Sequence, residues 1–183
     1  DDCIVIGNYF ANNTAGHIRD VGTRTIKRGN SASVITNLDN PQTSVVATQF
    51  DKTNTTLSAV SDLTALLTAG RTYSFEITLF MSTDATGGYK YDLGGGTCTA
   101  TSLKWIGYQV NNTTGSFGAT NGGLPTSLTT TVTNSGATAY TNILKGTIKV
   151  NAGGTFIPRF AQLSATGTSS VLTNSTMIIH EIN

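Results

Sequence analysis

The carboxylates of this chain are few: Asp20, Asp39, Asp51, Asp62, Glu76, Asp84, Asp92 and Glu181, besides the opening Asp1 and Asp2. Glycoside hydrolysis needs two carboxyl groups about 5–10 Å apart, one acid and one base or nucleophile. No pair here has a spacing diagnostic of that work. Glu76 and Asp92 fall on predicted strands and could face each other, but solvent-facing charges that discourage edge pairing are the simpler role. Asp20, with His17 and Arg19, fits either a saccharide groove or a turn. A serine hydrolase is not indicated, because no Gly-x-Ser-x-Gly elbow occurs. Catalytic residues therefore stay unassigned. Metal chemistry has as little support: His17 and His180 are isolated, and Cys3 and Cys98 lack ligand spacing. Asp84-Ala-Thr-Gly lacks the alternating acidic positions of a calcium loop. The sequence calls for no metal and no cofactor.

Sugar binding asks for different groups, namely aromatic ring faces beside amides and hydroxyls. Trp105, Tyr89, Tyr91 and Tyr108 lie near glycine-rich turns among many Asn and Thr residues, and they are the candidate carbohydrate-binding residues. Trp105, between Lys104 and Ile106, fits a sugar platform or the core of a sandwich. The basic residues Arg19, Arg24, Lys27 and Arg28 could meet an acidic capsule. Keeping one end of the chain soluble is the preferred role.

Composition narrows the class. The 183 residues are 38% hydrophobic and only 11% charged, with a net charge of +1. Abundant Thr, Gly, Asn and Ser favours strands and tight turns over helices. So small a net charge offers no field for nucleic acid. No apolar run approaches the roughly 18 residues of a membrane span. The acidic start is not a signal peptide. The two cysteines are expected reduced and packed.

The elements that must position these groups fall into three stretches. Residues 1–30 hold very short extended pieces, Cys3 to Phe10, His17 to Thr23 and Thr25 to Asn30, each closed by Gly or Asn. Such pieces suit the rungs of a parallel β-helix, and one or two rungs bury no core alone. The chain is therefore expected to begin inside a larger protein. Residues 31–45 read as a connector with one strand, Ser33 to Thr36. Residues 46–183 alternate with turn signals. Leu57, Val60, Leu63 and Leu67 have an ambiguous period that admits a helix, but the dense Thr and Ser and the Ala69-Gly70 turn favour two short strands. In Thr72 to Phe80, Tyr73, Phe75, Ile77 and Leu79 share a face. Cys98 to Tyr108 reads as a long strand with a bulge at Gly107. Asn151 to Thr155 reads as a hairpin turn, and Pro158 makes its strand an edge or irregular one. Roughly eight strands in about 140 residues imply an antiparallel jelly-roll sandwich.

Two patterns carry a resemblance. Val5-Ile6-Gly7-Asn8-Tyr9-Phe10 and Gly16-His17-Ile18-Arg19-Asp20 resemble the last β-helix coils of phage tailspikes. From about residue 46, the chain is similar to a C-terminal module of phage tail fibres and tailspikes. The residues are Leu67 to Phe75, Asp84-Ala-Thr-Gly-Gly, Lys145 to Phe156 and Phe160-Ala-Gln. That module resembles the tumour-necrosis-factor/C1q jelly roll. The resemblance implies a homotrimer on the virion, at the phage tail, that contacts bacterial surface polysaccharide. It leaves two other roles open: part of a polysaccharide depolymerase with catalysis upstream, or a capsid decoration or head-fibre protein.

Overall fold

In the computed structural model the chain divides into two compact units, Asp1–Pro41 and Gln42–Asn183. The structure describes residues 4–6, 26–28, 41–119, 127–134 and 138–182. Cys3, His17, Arg19, Asp20, Arg24, Asp39 and the strand expected at Ser33 to Thr36 lie outside the described residues. In the first unit, β1 (Ile4–Ile6) pairs with β2 (Ile26–Arg28). The pairing is parallel, with Ile4 opposite Ile26 and Ile6 opposite Arg28. That offset falls within the roughly 20–45 residues of one solenoid repeat.

The second unit is all β, an antiparallel sandwich of jelly-roll type, with no helix among the described residues. Its strands are β3 (Gln42–Val45), β4 (Phe50–Lys52), β5 (Ser58–Ala59), β6 (Ala65–Leu67), β7 (Thr72–Ser82), β8 (Tyr89–Asp92) and β9 (Ala100–Asn111). They continue with β10 (Phe117–Ala119), β11 (Val132–Asn134), β12 (Ala139–Val150), β13 (Gly154–Phe156), β14 (Arg159–Ala161), β15 (Ser169–Val171) and β16 (Thr176–Glu181). The large sheet runs β10-β9-β12-β7, and the far edge of β7 is shared by β15 and β16. β15 continues to β4, and β16 to β3. A smaller sheet, β11-β8-β14-β5, and the pair β13-β6 form the second layer.

Alternation builds the core. Tyr73, Phe75, Ile77, Leu79 and Met81 of β7 are all buried, as are Leu144, Ile148 and Val150 of β12. They meet Tyr89, Tyr91, Phe156 and Phe160 of the second layer in one apolar cluster. Gly146 makes room for the largest side chain. It stands opposite Trp105 in the ladder. A Cβ there would lie 2.6 Å from the Trp105 Cβ and 2.5 Å from the Lys104 carbonyl.

Four expectations need correction. The connector ends sooner than residue 45, because β3 pairs with the last strand, Gln42 opposite Ile179 through Val45 opposite Thr176. Gly107 keeps regular register opposite Leu144, and the irregularity lies where Lys149 and Val150 face Ser102 and Ala100. The Asn151–Thr155 stretch is a crossover between sheets, not a hairpin: β12 lies in the large sheet, whereas β13 pairs with β6. Asp92 is fully buried, not solvent-facing. Pro158 does break its strand, between β13 and β14, and its carbonyl accepts from Val60 N–H.

Candidate functional site

The outer face of the large sheet leaves several large apolar groups uncovered, as β6 leaves Leu66 on the other layer. The turn that joins β9 to β10 explains how this begins. The Asn111 side-chain oxygen accepts from the Thr113 and Thr114 N–H groups. Gly115 takes φ +71°, a left-handed conformation that costs glycine little. The chain thus doubles back and sets Phe117 opposite Val110 and Ala119 opposite Tyr108. Phe117 stacks on Tyr108 with ring centroids 5.6 Å apart and planes 22° apart. Phe117 is 67% exposed, and Tyr108 beneath it is half-buried.

Register extends this patch. Tyr108 stands opposite Ile143, and Ile143 opposite Thr78. Thr78 stands opposite Thr176, and Thr176 opposite Val45. Phe80 and Ile178 project from the same face, so Val45, Phe80, Phe117 and Ile178 are all large, apolar and exposed there. Along the strands the face turns polar. Lys145 pairs with Glu76 at 2.8 Å, both well exposed. His180 stands opposite Ser74 in register, with Nε2 2.8 Å from the Ser74 Oγ. Its Nδ1 lies 3.4 Å from the same oxygen, and no carboxylate among the described residues orients the ring, so this is a cross-strand bond rather than a catalytic triad.

The candidate sugar-binding aromatics separate. Tyr108 lies on the outer face, but Trp105, Tyr89 and Tyr91 are core residues with at most 1% exposure. Tyr89 stacks on Tyr91 at 6.0 Å and meets Tyr140 edge-on at 5.2 Å, while Tyr91 contacts Trp105 at 6.4 Å. No sugar ring reaches those faces, which corrects three of the four assignments. The hydroxyls are satisfied internally: Tyr89 donates to Gln109 Oε1 at 2.7 Å and accepts from Asn142 Nδ2 at 3.1 Å. Burial raises the Tyr89 phenol well above its ordinary range, so it stays a neutral donor. Phe117 was missed because its value depends on the hairpin pairing, although Asn-Thr-Thr-Gly between two apolar stretches is a usable turn signal.

The carboxylates also separate. Asp92 holds Arg159 in a two-pronged pair, 2.8 Å to Nε and 2.6 Å to Nη2, and takes the Gly94 N–H at 3.0 Å. The pairing raises the Arg159 guanidinium above its ordinary value. Glu76 lies in the other layer's outer face, so the two are not brought together. Asp84 binds its own turn, accepting from Thr86 Oγ1, Gly87 N–H and Thr86 N–H, and these bonds hold its carboxyl below the usual range. Cys98 is a buried free thiol, its pKa raised by burial.

No protein family model matches the chain, and no curated protein does. Among solved structures, it is similar to a chain of infectious bursal disease virus, Gx strain, at 12% identity and a TM-score of 0.20, over 90% of this chain and 49% of that one. A chain of the VP2 subviral particle of infectious bursal disease virus matches at 14% identity and a TM-score of 0.21, over 79% and 42%. The chain spans under half the length of either.

Proposed function

We propose that this chain is the C-terminal cap of a bacteriophage tailspike or tail fibre. In this reading it is a trimer-forming jelly roll that ends a β-helix and serves host attachment by binding bacterial surface polysaccharide. The observation that carries the reading is the outer face, with the Tyr108–Phe117 stack next to Ile143 on one side, Ile178 and Val45 on the strands of the other side, and Phe80 between them. Association is driven by apolar surface removed from water, and a contiguous exposed patch marks a contact. A stable contact buries about 800 Å² on each partner, an area a sheet face can supply. The parallel β1–β2 pair supports the β-helix half. Solenoid ends leave unpaired ladder groups, and a terminal domain covers them.

The chain itself is non-catalytic in this reading. Among the described residues, Glu76, Asp92 and Glu181 are ion-paired with Lys145, Arg159 and Arg71. Asp51 and Asp84 accept hydrogen bonds within their own loops or from a neighbouring strand. Cleavage, where the parent performs it, belongs to a β-helix upstream.

The test is the solution mass by light scattering of the 183-residue chain and of a version lacking residues 1–30. A trimer in both is expected, and Phe117→Asp should reduce both to monomer. Monomers throughout would sink the trimer, and a trimer untouched by Phe117→Asp would move the contact off this face.

A further inference from the structure

At the edge of the sandwich remote from the Tyr108–Phe117 stack, a cavity of about 230 Å³ opens between the β3–β4 loop and the β5–β6 turn. Its floor is apolar, made by the buried Val46 and Val60. Phe50, half-buried, makes one wall. The rim is polar, with Thr48, Gln49, Ser61 and Asp62. The volume falls below the roughly 300–1,000 Å³ of sites for drug-sized ligands, so it suits one small ring.

Asp62 is held in a fixed orientation there. Its Oδ2 accepts from Ala47 N–H at 2.9 Å and Thr48 N–H at 3.4 Å. Oδ1 has no partner among the described residues and lies on a residue of the rim. Gln49 is also positioned, its Nε2 donating to Asp51 Oδ1 at 2.7 Å, which leaves Oε1 open. The hydroxyls of Thr48 and Ser61 add two groups that both donate and accept. An aromatic wall, an apolar floor and a rim dominated by acceptors match a ring with one apolar face and several hydroxyl donors.

We propose that this cavity is a monosaccharide subsite for an uncharged hexopyranose unit of a polysaccharide. It rests on the glycan-binding half of the function proposed above. The ring's C–H face lies on Phe50, and one hydroxyl donates to Asp62 Oδ1. Asp62 also sets the class. A hexuronate would bring a second carboxylate beside it, and like charges at close range repel.

The experiment is an amide-shift titration of the ¹⁵N-labelled 183-residue chain. The probes are methyl hexopyranosides of the gluco, galacto and manno series, and glucuronate. The Ala47 and Thr48 amides are the reporters, because they bind Asp62 directly. At least one neutral glycoside should shift them at millimolar concentration while glucuronate does not. Asp62→Asn keeps an acceptor for Ala47 and should weaken binding about tenfold, the worth of a hydrogen bond to a charged group. Thr48→Val leaves the carboxylate in place and should weaken binding less. Equal shifts with glucuronate, or undiminished binding by Asp62→Asn, would overturn the proposal. Shifts confined to other amides would overturn the subsite and leave glycan binding standing. An absence of shifts with every sugar would remove both, while the trimer is judged separately by mass.

Discussion

The two faces of the large sheet are built from the same strands and meet opposite fates. On the inner face, Trp105, Leu144, Ile77 and Met177 are covered by the second layer and essentially buried. On the outer face the same strands present Tyr108, Ile143, Phe80 and Ile178, with no layer above them among the described residues of this unit. Strand alternation alone would put polar groups outside, and at one end of the face it does, with Lys145, Glu76, Ser74 and His180. Toward the other end it puts Tyr108, Ile143, Phe80 and Phe117, and Ile178 stands in the polar row opposite Glu76. The difference teaches that burial commits the inner face to folding, while the outer face is free for the contact proposed above.

The contrast can be tested along a single strand. Trp105 and Tyr108 of β9 point to opposite faces. Trp105→Ala should cost about 3–5 kcal/mol of folding free energy, through lost apolar burial and the cavity left over Gly146. Tyr108→Ala should cost roughly 1 kcal/mol in the monomer, since a large ring on a wet face loses little on truncation. Urea unfolding of the two variants measures both, and similar losses would abolish the distinction between the faces.

Next comes the polar tie of the second layer. Asp92→Ala leaves Arg159 without its carboxylate. Removing one partner of a buried pair typically costs several kcal/mol, but Arg159 is 28% exposed and can turn to water, so about 2 kcal/mol is expected. The outer pair of Glu76 and Lys145 is the control, because it is exposed on both sides. Glu76→Gln should change stability by less than about 0.5 kcal/mol. Thermal unfolding in low and high salt separates the two pairs.

Phe117→Asp should shift the monomer's stability by no more than about 0.5 kcal/mol, as surface changes usually do. Its effect belongs to assembly and is read as mass. A variant that unfolded the monomer would place Phe117 with the inner face instead.

The smallest effect concerns acid. The Thr86 and Gly87 bonds hold the Asp84 carboxyl below its ordinary 3.8. A depressed folded pKa lends stability that is fully present above the ordinary value and lost as pH falls through the lower folded one. The Gly87 amide resonance should therefore titrate with a midpoint below 3.8. A midpoint at or above it would show that the turn does not hold the carboxylate.

Much of the fold was legible in the residues, and the reasons are local. The alternation of Tyr73, Phe75, Ile77 and Leu79 marks β7, and Pro158 marks the break between β13 and β14, because period and a missing N–H act within a few residues. The candidate site was much less legible. Tyr89, Tyr91 and Trp105 look like Tyr108 in sequence, each an aromatic residue near glycines and threonines. Only the packing of the two layers on each other distinguishes them, burying the first three and leaving the fourth half-buried on the outer face. Asp92 likewise reads as a surface charge until Arg159, remote in sequence, comes beside it.

The sequence by itself determined an all-β sandwich and the faces of its strands. Those follow from composition, period and motif, which are properties of neighbours along the chain. The tertiary structure alone decided which aromatics are core, that Phe117 joins Tyr108, that Asn151–Thr155 crosses between sheets, and that Asp62 lines a cavity with Phe50. Each of these depends on strands that pair across long stretches of chain, and pairing partners are set by the packing of the whole sandwich rather than by any local preference.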